Sequence, residues 1–108
     1  MMINERLKAF RDILKECDSK VYHYVAPATI KRYVLWKEDG ESSSLYEDDK
    51  TQEQALDITV DFFTDTEYDD TVDILQCLFN ANNISYSLTD CDYEYETNLI
   101  HYQWRVSF

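Results

Sequence analysis

Glycine occurs once, at Gly40, and proline once, at Pro27, in a chain of 108 residues. A phosphate-cradling P-loop and a dinucleotide fingerprint each need several glycines at fixed spacing, so both nucleotide-using classes are excluded. Cations are also scarce: 10 Lys+Arg stand against 22 Asp+Glu, a formal net charge of −12. A surface that acidic repels phosphate backbones and anionic lipids, which argues against a basic grip on nucleic acid and against a membrane partner. It suits good solubility, imitation of DNA, or a channel wall past which DNA slides. The three cysteines, Cys17, Cys77 and Cys91, are far apart and form no CxxC pair. An odd, sparse set fits a reducing compartment and buried thiols, not a disulfide framework. The opening MMINERLKAF lacks the apolar run of a signal peptide and no stretch approaches transmembrane length, so a cytoplasmic protein is expected.

What is present is core-forming material. With 44% hydrophobic and 15% aromatic residues, the chain has enough apolar surface for one globular domain over residues 1–108. Ile3, Leu7, Phe10, Leu14 and Cys17 recur at three-and-four spacing and predict an amphipathic helix of about five turns, capped near Asn4 and closed at Asp18-Ser19. Val21–Val25 and Tyr33–Lys37 are rich in β-branched and aromatic residues and read as strands, with Pro27 in their connection. Glu38–Lys50 is polar and acidic and reads as a long hairpin loop.

Leu56, Ile58, Val60 and Phe62 alternate with Asp57, Thr59 and Asp61, the pattern of a strand with one buried and one wet face. A second helix follows, its stripe made by Val72, Leu75, Leu78 and Phe79. Thr66 with Asp69 supplies its capping arrangement, Asp69, Asp70 and Asp73 occupy the positive first turns, and Asn82-Asn83 ends it. Ile84, Tyr86 and Leu88 begin a fourth strand. In the fifth, Ile100, Tyr102, Trp104, Val106 and Phe108 face one way, and Leu99, His101, Gln103, Arg105 and Ser107 the other. The order α-β-β-β-α-β-β predicts an α+β fold: a single, mostly antiparallel sheet with two helices packed on one face.

The chemistry-bearing residues do not assemble into a catalytic pattern. The segment Cys91–Phe108 crowds Cys91, Glu94, Glu96, His101 and Arg105 together, but alternation turns His101 and Arg105 away from Tyr102 and Trp104. The only other histidine is His23, and no structural-zinc spacing occurs. Asp57, Asp61 and Asp65, with His101, would be the candidates for a divalent-metal hydrolase; the plainer reading is a solvated strand face. No serine stands in a nucleophile motif, and Cys91 lacks a nearby basic activator. Cys17 and Cys77 fall on or beside apolar stripes and read as core filler. No enzyme activity, cofactor or metal is expected.

The succession of segments resembles a known family. After a helix come Ala26-Pro27, then Tyr33-Val34-Leu35-Trp36 and a polar loop, then DITVDFFTDTEYDDTVDILQCLF, Asn83-Ile84-Ser85-Tyr86, Tyr93-Glu94-Tyr95-Glu96 and HYQWRVSF. This order resembles the small tail-terminator or tail-completion proteins in the neck of long-tailed phages and prophages, especially those of Gram-positive hosts. The resemblance implies a non-enzymatic subunit that closes into a homo-oligomeric ring, typically a hexamer, on the tail tube. Such a ring stops tube growth and docks the head-completion or connector protein. It implies a virion location after assembly in the host cytoplasm, and DNA that passes without specific binding. Asp48, Asp49, Asp57, Asp61 and the Glu38–Asp49 loop are then candidates for an acidic lumen. Ring subunits meet through unlike surfaces, and Tyr22, Tyr24, Trp36 and Tyr95 are candidate contact residues. The alternative is a small phage-encoded acidic inhibitor that mimics DNA. The absence of a continuous helical row of carboxylates weighs against it.

Overall fold

The computed structural model describes residues 2–41 and 55–108. The elements run α1 (Ile3–Leu14), β1 (Lys20–His23), β2 (Arg32–Glu41), β3 (Leu56–Thr64), α2 (Asp70–Ala81), β4 (Ser85–Glu94) and β5 (Leu99–Ser107). This is the expected α+β order. The five strands form one mixed sheet in the order β1-β2-β3-β5-β4. Three pairings are antiparallel, whereas β1 runs parallel to β2, Val21 beside Val34 and His23 beside Trp36.

β3 sits at the centre because it has the cleanest alternation. Leu56, Ile58, Val60, Phe62 and Thr64 are all buried, and the strand pairs on both sides, Phe62 lying opposite Val34 and Tyr102. Both helices pack on this face. Phe10 of α1 lies 5.3 Å from Trp36 and from Phe108, ring centre to ring centre. Phe79 of α2 lies 6.2 Å from Trp104 and 5.3 Å from Tyr86. Trp104, wholly buried, donates its indole N–H to Gln76 Oε1 at 3.0 Å, so its polar handle is satisfied inside the core.

The element ends follow from short-range chemistry. α1 begins at Met2, whose backbone N–H donates to Glu5 Oε1 at 3.1 Å, so Glu5 closes the N-terminus instead of Asn4. The helix stops at Leu14, one turn before the sequence pattern does; Cys17 is buried beyond its end and its Sγ–H donates to the Ser19 carbonyl. α2 ends in a Schellman motif: Asn83 takes φ 57°, Ile84 N–H reaches the Phe79 carbonyl at 2.9 Å, and Asn83 N–H reaches the Asn80 carbonyl at 3.2 Å. Cys77 is exposed on the outer face of α2 and is not core filler. Glu38–Glu41, expected as loop, continue β2 against Ile58, Asp57 and Leu56 through an irregularity at Glu38/Gly40, because β3 is long enough to keep pairing. The remainder of the expected loop, 42–50, lies outside the described residues.

One polar network ties the layers together. Asp69, with a side chain 3% exposed, is the N-cap of α2 and accepts from Thr71 N–H at 2.9 Å. Thr64 Oγ1 at the end of β3 donates to it at 2.7 Å, while Thr66, the residue expected to share the cap, instead donates its backbone N–H to Thr64 Oγ1 at 3.0 Å. Arg32, the first residue of β2, donates two bonds to the carboxylate, at 2.8 and 3.0 Å, and reaches Asp18 Oδ2 and the Asp18 carbonyl, each at 3.3 Å. The guanidinium holds the Asp69 carboxyl well below the usual carboxylate range, reinforced by Thr64 and Thr71. Removing Arg32 leaves a buried carboxylate without its counter-ion. Arg32→Ala is therefore expected to cost about 3 kcal/mol, the low end for breaking a buried pair because Arg32 itself is partly solvated. Arg32→Lys, which keeps charge but not the fork, should fall between. Urea midpoints at unchanged m-value measure both; a loss below about 1 kcal/mol for Arg32→Ala would show the pair to be only a surface contact.

Candidate functional site

The sheet face opposite the helices carries no packed element among the described residues, yet it is not simply wet. The registers align Tyr33 with Phe63, Phe63 with His101, and His101 with Asp92. Tyr22 of β1 meets Tyr33 edge-on at 6.2 Å, Tyr33 stacks on Phe63 at 4.8 Å, and Phe63 stacks on the His101 ring at 4.4 Å. A row of rings thus runs from the β1 edge across β2 and β3 to β5 and ends against the carboxylates of the β4 edge. The signal in the sequence was the doublet Phe62-Phe63, which must send one ring to each face.

His101 is the pivot of the acidic end, its side chain 13% exposed. Nε2 lies 2.7 Å from Asp61 Oδ1, and since a carboxylate accepts only, Nε2 carries the proton. Gln103 Nε2 donates to the same oxygen at 3.0 Å. Nδ1 looks toward Asp92 Oδ1 at 3.8 Å and Glu94 Oε2 at 3.9 Å. The Asp61 hydrogen bond raises the imidazole pKa above its ordinary value; burial opposes this, and Glu94 and Asp92 add to it. Asp90, Asp92 and His101 bring one ligand atom each within 4.8 Å of one another. With Nε2 held by Asp61, Nδ1 is the nitrogen that faces this group, and a cation there would compete with a second proton for it. The arrangement sets an imidazole among the carboxylates of an acidic strand edge, which favours its charged form.

At the opposite edge, His23 lies between the rings of Tyr24 and Trp36, each 3.9 Å away, and its Nε2 is 2.8 Å from Glu38 Oε1. The Tyr24 hydroxyl donates to the other oxygen of Glu38, and Tyr24 adopts φ 72° as the chain leaves β1. A cleft of about 230 Å³ opens beside this stack, between α1 and the sheet, lined by Asn4, Leu7, Lys8, Arg11, His23 and Trp36.

The residues singled out from sequence separate on this framework. Tyr24 and Tyr95 are exposed, at 55% and 84%, and Tyr22 is half-buried in the ring row. Trp36 is 2% exposed, packed between Phe10 and His23; it is a core ring that meets the surface only as part of the wall of that cleft. Asp61 is also withdrawn from a lumen wall, since His101 and Gln103 hold its carboxylate within the face. Asp57 is half-buried opposite Ser107, on the same face as Asp61 but about 13 Å along the strand at 3.3 Å per residue, so the two share no cation. Asp65 lies in the following turn and accepts from Thr66 Oγ1 at 3.2 Å. Asp48 and Asp49 lie outside the described residues. His101 joins Asp61 as a pair, but Asp57 and Asp65 do not join them. No helix among the described residues is long and apolar enough to cross a membrane. No family matches this chain, and no curated protein is significantly similar to it.

The raised His101 value fixes a pH dependence. Its contribution to stability is complete below about pH 6.5, the ordinary histidine value, and is lost as pH rises through the higher folded value. Unfolding free energy should therefore fall on going from pH 6 to pH 8.5, and His101→Gln should flatten that part of the profile. An NMR titration placing His101 at or below about 6.5 would refute the assignment.

Proposed function

We propose that the chain is a non-enzymatic assembly subunit of a phage or prophage neck, a tail terminator that closes into a ring on the tail tube. The observation that carries this reading is the unpartnered sheet face. A row of four rings, Tyr22, Tyr33, Phe63 and His101, runs from the β1 edge across four of the five strands without a packed layer among the described residues. The outer strands, β1 and β4, each have one unpaired edge among the described residues. A subunit built for neighbours keeps such surfaces. The sequence resemblance points to the same role. Polar side chains of the open face bond to one another: Asp61 with His101, Lys37 with Asp39 at 2.5 Å, and Thr59 Oγ1 with Asp39 at 2.6 Å.

In this reading the ring caps the tube, receives the head-completion or connector protein on its other side, and lets DNA pass without gripping it. The acidic character of the second half of the chain suits that passage. DNA mimicry shares the charge but does not use the ring row.

Light scattering on a size-exclusion column, over a concentration series and with purified tail tubes, tests the proposal. A closed oligomer of about six subunits, in solution or on tube ends, is the expected result. A chain that stays monomeric and is not retained by tubes overturns it, and one that instead competes with duplex DNA for a DNA-handling enzyme establishes the mimic.

A further inference from the structure

Charge is divided along this chain in a way the sheet order turns into geometry. Eight of the ten Lys and Arg residues lie between Arg6 and Lys37. From Leu56 onward the only one is Arg105, against eleven Asp and Glu. Because the sheet runs β1-β2-β3-β5-β4, the first group lies on or next to α1, β1 and β2 at one side of the sheet, and the second includes the β4 edge at the other. β4 and its turn to β5 contain Asp90, Asp92, Glu94 and Glu96 and no Lys or Arg.

The two edges differ in shape as well as sign. The β4 edge projects rings: Tyr93 is 45% exposed and Tyr95 84%, set edge-to-face at 5.0 Å. Glu96 is exposed beside them in the turn. Asn98, at φ 60°, closes that turn with an N–H to the Glu94 carbonyl at 2.8 Å, and Tyr93 Oη donates to Asn98 Oδ1 at 3.1 Å, so the tip is built, not frayed. The β1 edge is concave. Its cleft of about 230 Å³ has Leu7 and Trp36 in its wall, with Lys8, Arg11 and His23 around them. Arg11 also contacts its helix neighbour Asp12 at 3.0 Å, an exposed pair of the kind that exchanges partners at little cost. His23 is engaged by Glu38, which leaves Lys8 and Arg11 as the strongly cationic part of the rim.

We propose that these edges are the two halves of one head-to-tail interface between copies of this chain. Tyr95 of one subunit enters the α1–β1 cleft of the next, while Asp92 and Glu96 meet Lys8 and Arg11. This rests on the ring reading above and names its contact. Unlike surfaces at opposite ends of a sheet generate a heterologous contact, which closes into a ring when the rotation per subunit permits. A tyrosine seated against apolar wall and ringed by opposite charges is the usual make-up of a binding hot spot. The local attraction also orients subunits that otherwise repel through their common net charge, a steering role more than a source of raw affinity.

Charge exchange tests the pairing. The cleft variant K8E/R11E and the tip variant D92K/E96K each place like charges on both halves of the contact. Each should weaken assembly more than about tenfold, read as mass by light scattering or as retention on tail tubes, whichever the wild type shows. An equimolar mixture of the two variants pairs unlike charges at every contact and should recover assembly. So should a single chain carrying all four changes, and circular dichroism melts near the wild-type midpoint confirm that each variant is folded. Tyr95→Ala should weaken assembly without any charge change. A wild-type oligomer whose mass survives both variants overturns this interface while leaving the ring reading in place. Folded variants that stay apart when mixed also overturn it. A wild-type chain that never assembles overturns the ring reading and the interface together.

Discussion

The fork between Arg32 and Asp69 is the constraint on which the arrangement of layers depends. Asp69 caps α2 and accepts from the end of β3; Arg32 opens β2 and reaches back to Asp18 in the link between α1 and β1. Four connections therefore converge on one carboxylate–guanidinium pair, with Thr71 Oγ1 donating to Asp18 Oδ1 at 2.6 Å to close the circuit. A bidentate pair has directional geometry that a hydrophobic contact lacks, so it fixes where each helix meets the sheet as well as holding it there. With α2 pinned at the end of β3 and α1 tethered beside β2, both helices cover the same face, and the opposite face is left for the ring row. Buried ion pairs are often no better for stability than apolar replacements, and the contribution here is best understood as specificity of arrangement.

The same economy of cations shapes the surface. With so few Lys and Arg, each one placed inside a network is withdrawn from the exterior, as Arg32 is. Acidic groups lie instead beside the histidines, His101 among Asp61, Asp92 and Glu94, and His23 against Glu38. Both histidines stack on aromatic neighbours, which orients the rings for those contacts. His101, raised above its ordinary value by those carboxylates, becomes a counter-ion whose charge depends on pH.

Much of the fold was legible because local and tertiary preferences agree. The alternation from Leu56 to Phe62 identified a central strand, and Asn82-Asn83 marked the end of α2 because asparagine tolerates the left-handed backbone there. What the sequence did not disclose is what depends on register and long-range pairing. Nothing local reveals that β1 runs parallel to β2, or that Phe63 lies between Tyr33 and His101. Trp36 was read as a surface ring because it shares a strand with half-exposed residues, whereas Phe10 of α1 and the His23 ring bury it together. Glu38–Glu41 were misread as loop because their polar composition outweighed the pairing supplied by β3. Of the candidate sites, the exposed Tyr95 was readable from its place in a turn, whereas the Asp61–His101 pair spans forty residues and needed the structure.

The order of strands in the sheet also bears on synthesis. β5 lies between β3 and β4, so β4, once translated, has no partner until β5 follows. During that interval β3 presents an unpaired edge backed by its most apolar side chains, and β4 is a free strand. Such non-local closure is slow and leaves a nascent chain open to mispairing on the ribosome. The acids concentrated along β4 keep like strands from adding to one another while the sheet waits for its last member.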